Sequence, residues 1–191
     1  MSVENGAFTA VRAADQYTYN QSPSPPHVSA ISPTHGTWHG GTKVTVKGSN
    51  FAGVKSLTFG GKVGTHLAVS GTGTLTVTAP RGTEGKTMKV VVKAAGGTSN
   101  WAGYLYADTP HIASISPGTG SHKGGAKVTI KGRDFAGVKS VTFGGKAGTH
   151  LSVSGTGQLT VIVPKGTKGA KVKVVIKAAG GTSNTVRYLY T

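Results

Sequence analysis

The chain contains the same segment twice. Residues 26–107 align with residues 110–191 at a constant offset of 84, without a gap, and 54 of the 82 aligned positions are identical. This period is longer than that of solenoid repeats, which is about 20–50 residues. A unit of this size can bury a core of its own. We therefore predict two autonomous domains, residues 26–107 and residues 110–191, preceded by an arm and a Pro-rich linker in residues 1–25.

Apolar and polar residues alternate within each repeat over short runs that Gly, Pro, Asn and Ser interrupt. In one such run, Val44 and Val46 would face one side while Lys43, Thr45 and Lys47 face the other. A period of two is typical of half-buried strands, and no run has the spacing of an amphipathic helix. About seven such strands per repeat predict a small antiparallel β-sandwich, so the fold class is all-β.

Both repeats also carry the same motifs in the same order. These are Pro-x-(Val/Ile)-x-x-Ile-x-Pro, Gly-Gly-x-x-Val-Thr-(Val/Ile)-x-Gly, Phe-x-Gly-Val-x-x-(Leu/Val)-x-Phe-Gly-Gly, Gly-Gly-Thr-Ser and Tyr-x-Tyr. This series resembles the IPT/TIG family of immunoglobulin-like domains and implies two tandem immunoglobulin-like β-sandwiches. Such domains occur in bacterial surface proteins, phage virion proteins, plexin-like receptors and some transcription factors, so the resemblance alone does not select a function.

The arm carries a pattern of its own. Residues 13–19, which include Tyr17 and Tyr19, are similar to the closing strand around Tyr104 and Tyr106, and the Pro-rich residues 22–26 follow. No complete domain precedes this segment in the sequence. Either the chain is an excerpt of a longer array of repeats, or the extended arm contributes a strand to a partner chain and makes the protein part of a homo- or hetero-oligomer, which is our prediction.

Catalytic residues are scarce in this sequence. Paired carboxylates need two acids close together, yet the chain has only five, and Glu84 and Asp134 align with Lys168 and Asn50 of the other repeat. There is no Gly-x-Ser-x-Gly nucleophile elbow, and no Cys. We expect a protein that is not an enzyme and binds no cofactor.

A metal site is not expected either. His35 and His39 have a spacing that would bring them together on a helix, but the neighbouring glycines favour a loop. The second repeat has Thr119 and Lys123 at these positions.

Hydropathy and the first residues of the chain indicate where the protein is located. No apolar run approaches the roughly 20 residues of a membrane span, and residues 1–8 lack the basic and apolar regions of a signal peptide. A virion protein assembles in the cytoplasm without a signal peptide. We therefore expect a phage virion protein of the capsid or tail. The alternative is a piece of a secreted, multi-repeat bacterial cell-surface adhesin, and both place the domains on a virion or an extracellular surface.

The chain is strongly basic. Its formal net charge is +16, and the two repeats carry +7 and +11. A surface with so few acids is expected to attract polyanions. The lysines at outward strand positions are the candidate binding residues: Lys43, Lys47, Lys89, Lys93, Lys127, Lys131, Lys171, Lys173 and Lys177. Outward lysines also block pairing between strand edges, but that does not account for the scarcity of acids.

Several polyanions could fit this charge. We expect an anionic glycopolymer or an acidic protein lattice of the capsid, tail or cell envelope. Nucleic acid is a third possibility that rests on charge alone. Base readout favours Arg, of which the chain has four, and a single-strand binder needs an aromatic stacking face that we do not find.

The repeats differ at positions that predict an interface between the domains. Trp38, Glu84 and Arg133 align with His122, Lys168 and Ser49, so an aromatic side chain and opposite charges occur only where the two domains can meet. Only residues 107–109 connect the domains, and a linker this short restricts rotation. We predict a semi-rigid rod in which Trp38 lies near the junction and Glu84 lies close to Arg133. The alternative is that Trp38 covers only the core end of its own domain.

Overall fold

Each repeat forms two antiparallel sheets that pack face to face. The structure, a computed structural model, describes residues 23–191, and within that range it contains strands and no helix. The all-β fold with two tandem immunoglobulin-like sandwiches is thereby confirmed.

The strands of the two domains correspond one to one. The first domain contains β1 (His27–Ser32), β2 (His35–Gly36), β3 (Lys43–Ser49), β4 (Ser56–Phe59), β5 (Lys62–Val63), β6 (Thr65–Ser70), β7 (Thr74–Thr78), β8 (Thr87–Ala94), β9 (Gly97–Thr98) and β10 (Ala102–Tyr106). The second contains β11 (His111–Ser116), β12 (Thr119–Gly120), β13 (Lys127–Arg133), β14 (Ser140–Phe143), β15 (Lys146–Ala147), β16 (Thr149–Ser154), β17 (Gln158–Ile162), β18 (Lys171–Ala178), β19 (Gly181–Thr182) and β20 (Val186–Tyr190).

Strand order is the same in both sandwiches. One sheet of the first domain has the order β1-β3-β7-β6, and the other has the order β2-β10-β8-β4-β5 with β9 paired to β8. The second domain repeats this with β11-β13-β17-β16 and β12-β20-β18-β14-β15. Each domain therefore has ten strands instead of the roughly seven predicted from periodicity. The additional ones are two-residue strands, which are too short to produce a sequence period.

The alternating apolar residues fill the space between the sheets. Val44, Val46, Leu75 and Val90 are fully buried, as the period of two predicts. Aromatic rings complete the core: the Phe59 and Tyr104 rings pack edge to face with centroids 5.1 Å apart, an arrangement that aromatic quadrupoles favour.

Motif residues tie the closing strands to the rest of each sandwich. Asn100 at the end of the Gly-Gly-Thr-Ser motif accepts a hydrogen bond from the Val28 amide at 2.7 Å and donates to the Val28 carbonyl at 2.9 Å. The Tyr106 hydroxyl donates to the Pro80 carbonyl at 2.7 Å, and Gly82 leaves the room that this ring occupies. The same arrangement recurs in the second domain, where the Tyr190 hydroxyl donates to the Pro164 carbonyl at 2.9 Å. The motifs therefore fix the positions of β1, β10 and their counterparts.

Candidate functional site

Lysine side chains cover the outer faces of the sheets. All nine candidate lysines are exposed. They project from β3, β8, β13 and β18 at positions that alternate with buried residues. Since β3 and β8 belong to opposite sheets, each sandwich carries lysines on both of its outer faces.

The acidic side chains lie elsewhere. Residues 23–191 contain three acids, Glu84, Asp108 and Asp134. The Asp108 carboxylate pairs with His39 Nε2 at 3.8 Å, and the Asp134 carboxylate pairs with Arg133 Nε at 3.4 Å. Glu84 faces Asp134, with Asp108 nearby. All three acids therefore meet where the domains join, and among residues 23–191 the four sheet faces carry cations without a carboxylate.

The densest positive patch lies on one face of the second domain. Lys171, Lys173 and Lys177 follow one another along the outer side of β18. On the neighbouring β20, exposed Arg187 is the register partner of Lys173. We call these four residues the β18 patch. Arg187 was missed by the sequence analysis. The signal was its position directly before the Tyr-x-Tyr motif, where alternation with the buried tyrosines points it outward.

The equivalent face of the first domain has a different character. Gly103 replaces Arg187, and two lysines, Lys89 and Lys93, remain on β8. The Trp101 side chain lies beside them, 57% exposed, with Lys89 Nζ 5.1 Å from its ring centroid. A cation over an indole face is favourable by about 0.5–1 kcal/mol at exposed sites. This face therefore combines aromatic and cationic groups, whereas the β18 patch is purely cationic.

The opposite sheet of the second domain offers hydroxyl groups beside its lysines. A shallow cavity of about 320 Å³ is lined by Ser114, Ser116, Thr129 and Lys131. A second, of about 390 Å³, is lined by Lys127, His150, Ser152, Thr160 and Ile162. Cations flanked by hydroxyl donors can bind the charged and neutral oxygens of an anionic sugar.

The two domains contact each other through loops at facing ends. We call Asn50, Ala52, Gly53 and Thr72 the entry end of the first domain, and Asp134, Ala136, Gly137 and Thr156 the entry end of the second. Glu84, Gly85 and Leu105 form the exit end of the first domain, and Lys168, Gly169 and Leu189 form that of the second. At the interdomain junction, a Cβ added to Gly85 would lie 2.9 Å from Thr156 Cγ2, and one added to Gly137 would lie 3.1 Å from Leu105 Cδ2. Both glycines also have left-handed φ angles, 72° for Gly85 and 62° for Gly137, so a side chain at either position would be strained as well as crowded.

Equivalent residues of the two domains differ in exposure according to whether they lie at the interdomain junction. Ala136 is buried to 6% exposure at the junction, whereas its counterpart Ala52 is exposed. Thr156 is half-buried and Thr72 is exposed. Glu84 is half-buried and Lys168 is exposed. The same loops thus lose surface only where they meet the other domain.

Glu84 has an unusual electrostatic environment for this chain. Burial and, after it, the facing Asp134 carboxylate raise the pKa of Glu84, and Asp108 adds to the effect. The Thr156 hydroxyl acts in the opposite direction. The Oε1 atom of Glu84 is buried without a hydrogen-bond partner among the described residues. The junction therefore favours a protonated carboxyl group at this position.

One detail of the predicted interface differs in the structure. The partner of Arg133 is Asp134, next to it in the chain, and Glu84 faces Asp134 instead of pairing with Arg133. The Trp38 ring packs against the core of its own domain, next to the His39 ring at 3.8 Å between centroids and below the Arg81 guanidinium at 5.0 Å. Arg133 and Trp38 each contact residues of their own domain. The interdomain role of Trp38 stays a prediction.

The predicted arm is only partly described. Tyr17 and Tyr19 lie outside residues 23–191. The linker residues next to them pack on the first domain: Asn50 Nδ2 donates to the Pro25 carbonyl at 3.0 Å, and Ser24 crosses directly over Gly96. Asp108 crosses over Gly180 in the same way. Residues 23–25 therefore hold the place in the first domain that residues 107–109 hold in the second.

Within residues 23–191, no group of three or more His, Asp or Glu side chains could hold a metal ion. The same part of the chain contains no helix that is long and apolar enough to cross a membrane.

Fold and surface together define a tandem immunoglobulin-like protein with cationic sheet faces. The family model described as the IPT/TIG domain matches residues 26–106 and again residues 110–190. The chain belongs to the IPT/TIG family.

Several solved structures are similar to this chain. SGBP-B from a xyloglucan utilization locus in Bacteroides uniformis is 21% identical, with a TM-score of 0.40 over 86% of this chain and 49% of that one. The surface glycan-binding protein PbSGBP-B from Prevotella bryantii is 16% identical, with a TM-score of 0.47 over 88% and 43%. The plexin A4 extracellular region is 19% identical, with a TM-score of 0.46 over 97% and 17%. The chain thus spans about half or less of these proteins.

Proposed function

We propose that this protein is a non-enzymatic structural and adhesive module of a surface assembly, and that its lysine faces bind anionic polymers. The observation that carries the proposal is the separation of charge. Exposed lysines occupy the outer sheet faces, whereas the three acids of residues 23–191 meet at the interdomain junction. A polyanion that contacts any sheet face therefore meets no opposing carboxylate from the described part of the chain.

The spacing of the β18 patch fits a repeating anion. Residues two apart on a strand project to the same side at about 6.5–7 Å, so Lys171, Lys173 and Lys177 form a row about 20 Å long. Arg187 broadens this row by one strand. A polymer with a charged group on each sugar or each glutamate can follow such a row. A base-reading contact is not favoured, because lysine on a flat sheet cannot enter a groove as a helix does.

Binding by this patch can be tested with sulfated heparin, poly-glutamate and duplex DNA as probes. We expect binding of heparin and poly-glutamate whose affinity falls steeply with salt, because screening weakens exposed charge interactions. Replacing Lys171, Lys173, Lys177 and Arg187 with Gln should weaken binding at least about tenfold, a loss that one or two charged contacts would supply.

A matched variant removes the same total charge from scattered positions. Lys55, Lys86, Lys123 and Lys165 are exposed and lie outside the β18 patch, so their replacement by Gln should cost much less affinity. Equal losses in the two variants would show that only net charge matters. Affinity that does not change with salt would contradict the proposal altogether.

Two kinds of surface are candidates for carrying this module. A phage virion, in the capsid or tail, stays our prediction from the sequence, and a bacterial cell envelope is the alternative. Antibody labelling of purified virions and of intact cells distinguishes them. Label on cells and none on virions would replace the first setting with the second.

A further inference from the structure

We propose that the exposed entry end of the first domain binds the exit end of the second domain of another copy, so that copies stack head to tail. The interdomain junction shows how an exit end seats on an entry end. The chain presents one further entry end, whose four residues are exposed, and one further exit end, where Lys168 and Gly169 are exposed and Leu189 is half-buried. This stacking is compatible with the binding of anionic polymers and does not depend on it.

The exposed ends have the backbone shape of the docked ends. The Gly85 amide donates to the Tyr106 carbonyl at 2.8 Å, and the Gly169 amide donates to the Tyr190 carbonyl at 2.7 Å. At the entry ends, the amides of Phe51 and Phe135 donate to the carbonyls of Thr72 and Thr156, at 3.0 and 2.8 Å. Left-handed φ angles agree as well, at 58° for Asn50 and 62° for Asp134. The exposed loops therefore already have the backbone conformation of the docked loops.

Most side chains at the contact are also the same. Ala52, Gly53, Thr72, Gly169 and Leu189 are identical to their counterparts at the interdomain junction. The packing of Gly85 on Thr156 would recur as Gly169 on Thr72, and that of Leu105 on Gly137 would recur as Leu189 on Gly53. Ala52 would be covered as Ala136 is.

The facing polar pair is the part that changes, and the change is favourable. At the interdomain junction, Glu84 faces Asp134, two acids of like charge. Between copies, Lys168 would face Asn50. Asn50 Nδ2 already donates to Pro25, which leaves Oδ1 to accept a hydrogen bond from Lys168 Nζ. The pair between copies does not bring two acids together.

A contact of this kind does not close on itself. The exit and entry ends are different surfaces, so each bound copy offers the same pair of ends again, and a linear filament results. Thr191 of one copy and Pro23 of the next both correspond to Ala107, which is buried at the interdomain junction, so Pro23 has to shift aside at the contact. The contact is small and joins chains of charge +16, so we expect it to be weak and to strengthen as salt screens the repulsion. Binding of anionic polymers has the opposite salt dependence.

The absence of Cys from the chain allows a direct test by disulfide trapping. In the Asn50→Cys/Lys168→Cys variant, the two cysteines lie at opposite ends of the chain, so a bridge between them joins copies. Under mild oxidation in about 0.5 M salt, we expect a ladder of dimers, trimers and longer species on a non-reducing gel. The exposed pair Ala30→Cys/Ser114→Cys, on the sides of the domains, should give such species at least about tenfold more slowly, because nothing raises their local concentration.

Sedimentation of the chain without cysteines provides a second measurement. The mean mass should rise with concentration in high salt, and Ala52→Gln should abolish the rise by placing bulk at the contact. Ala68→Gln, at an exposed position on β6, should leave it intact. A mass independent of concentration, with a ladder no stronger than that of the control pair, would overturn the proposal. So would an introduced thiol at position 50 that resists alkylation without forming a ladder, since residues 1–22 would then cover this end.

Discussion

The carboxyl group of Glu84 faces that of Asp134 across the interdomain junction. In a chain of charge +16, this is a contact between two of its five acids. Two ionised carboxylates at such a site repel each other, and desolvation adds to the cost, so one of them is stabilised by holding a proton. The pKa of Glu84 is raised accordingly. The strength with which the domains dock therefore depends on pH.

Acidification should tighten the junction. Because the pKa of Glu84 is higher in the docked state than its ordinary 4.5, the proton stabilises docking fully below that value, and the stabilisation is lost as pH rises through the docked-state pKa. Small-angle scattering from neutral pH toward 4.5 should show a narrower range of interdomain orientations. Glu84→Gln keeps the shape without the charge and should remain docked throughout. Lys168→Gln, at the equivalent exposed position, should behave like the unmodified chain, and a pH response that survives in Glu84→Gln would contradict this account.

The sequence predicted the fold well and the junction poorly, for a physical reason. Alternation follows from the strand period alone, so Val44 and Val46 were assigned correctly to the core without knowledge of their partners. Contacts between loops depend on backbone conformation that has no period. Asp134 adopts a left-handed φ of 62°, and this conformation accompanies a side chain that faces Glu84 while Arg133 remains exposed. Differences between the repeats pointed to Glu84 and Arg133, whereas the structure places Asp134 opposite Glu84.

Gly166 should be intolerant of a side chain. A Cβ at this position would overlap the ring of Tyr190, which packs flat on the glycine. Gly166→Ala should therefore destabilise the second domain by about 1–3 kcal/mol, the usual cost of forced overpacking. Thermal unfolding followed by calorimetry measures this as a lower transition temperature for that domain.

Gly118 is the matched control for this substitution. An added Cβ there would meet no atom closer than 3.9 Å, so Gly118→Ala should change the stability by less than about 0.5 kcal/mol. Equal effects of the two substitutions would show that the Tyr190 contact is not what makes Gly166 intolerant of a side chain.

The arm prediction needs a test of its own, because Tyr17 and Tyr19 lie outside the described residues. A strand without a partner exchanges its amide hydrogens freely. We expect fast exchange across residues 9–19 in the monomeric chain and slow exchange once a partner is bound. Strong protection in a monomer would show instead that this segment packs on its own domains.

Alkaline pH should unfold the domains through their buried tyrosines. Burial, and secondarily the neighbouring Tyr104, raises the pKa of Tyr106 to about 12 from its ordinary 10, and burial also raises the pKa of Tyr190. A raised pKa means that the folded chain keeps a proton that the unfolded chain loses, so the stabilisation is full below pH 10 and is lost as the pH rises toward 12. Urea unfolding at increasing pH should show the free energy of unfolding falling across this window. Tyr106→Phe removes the hydrogen bond to Pro80, which should cost about 1 kcal/mol at neutral pH, and should make the first domain less sensitive to alkali. An undiminished alkaline loss in the Tyr106→Phe, Tyr190→Phe double variant would mean that other groups control it.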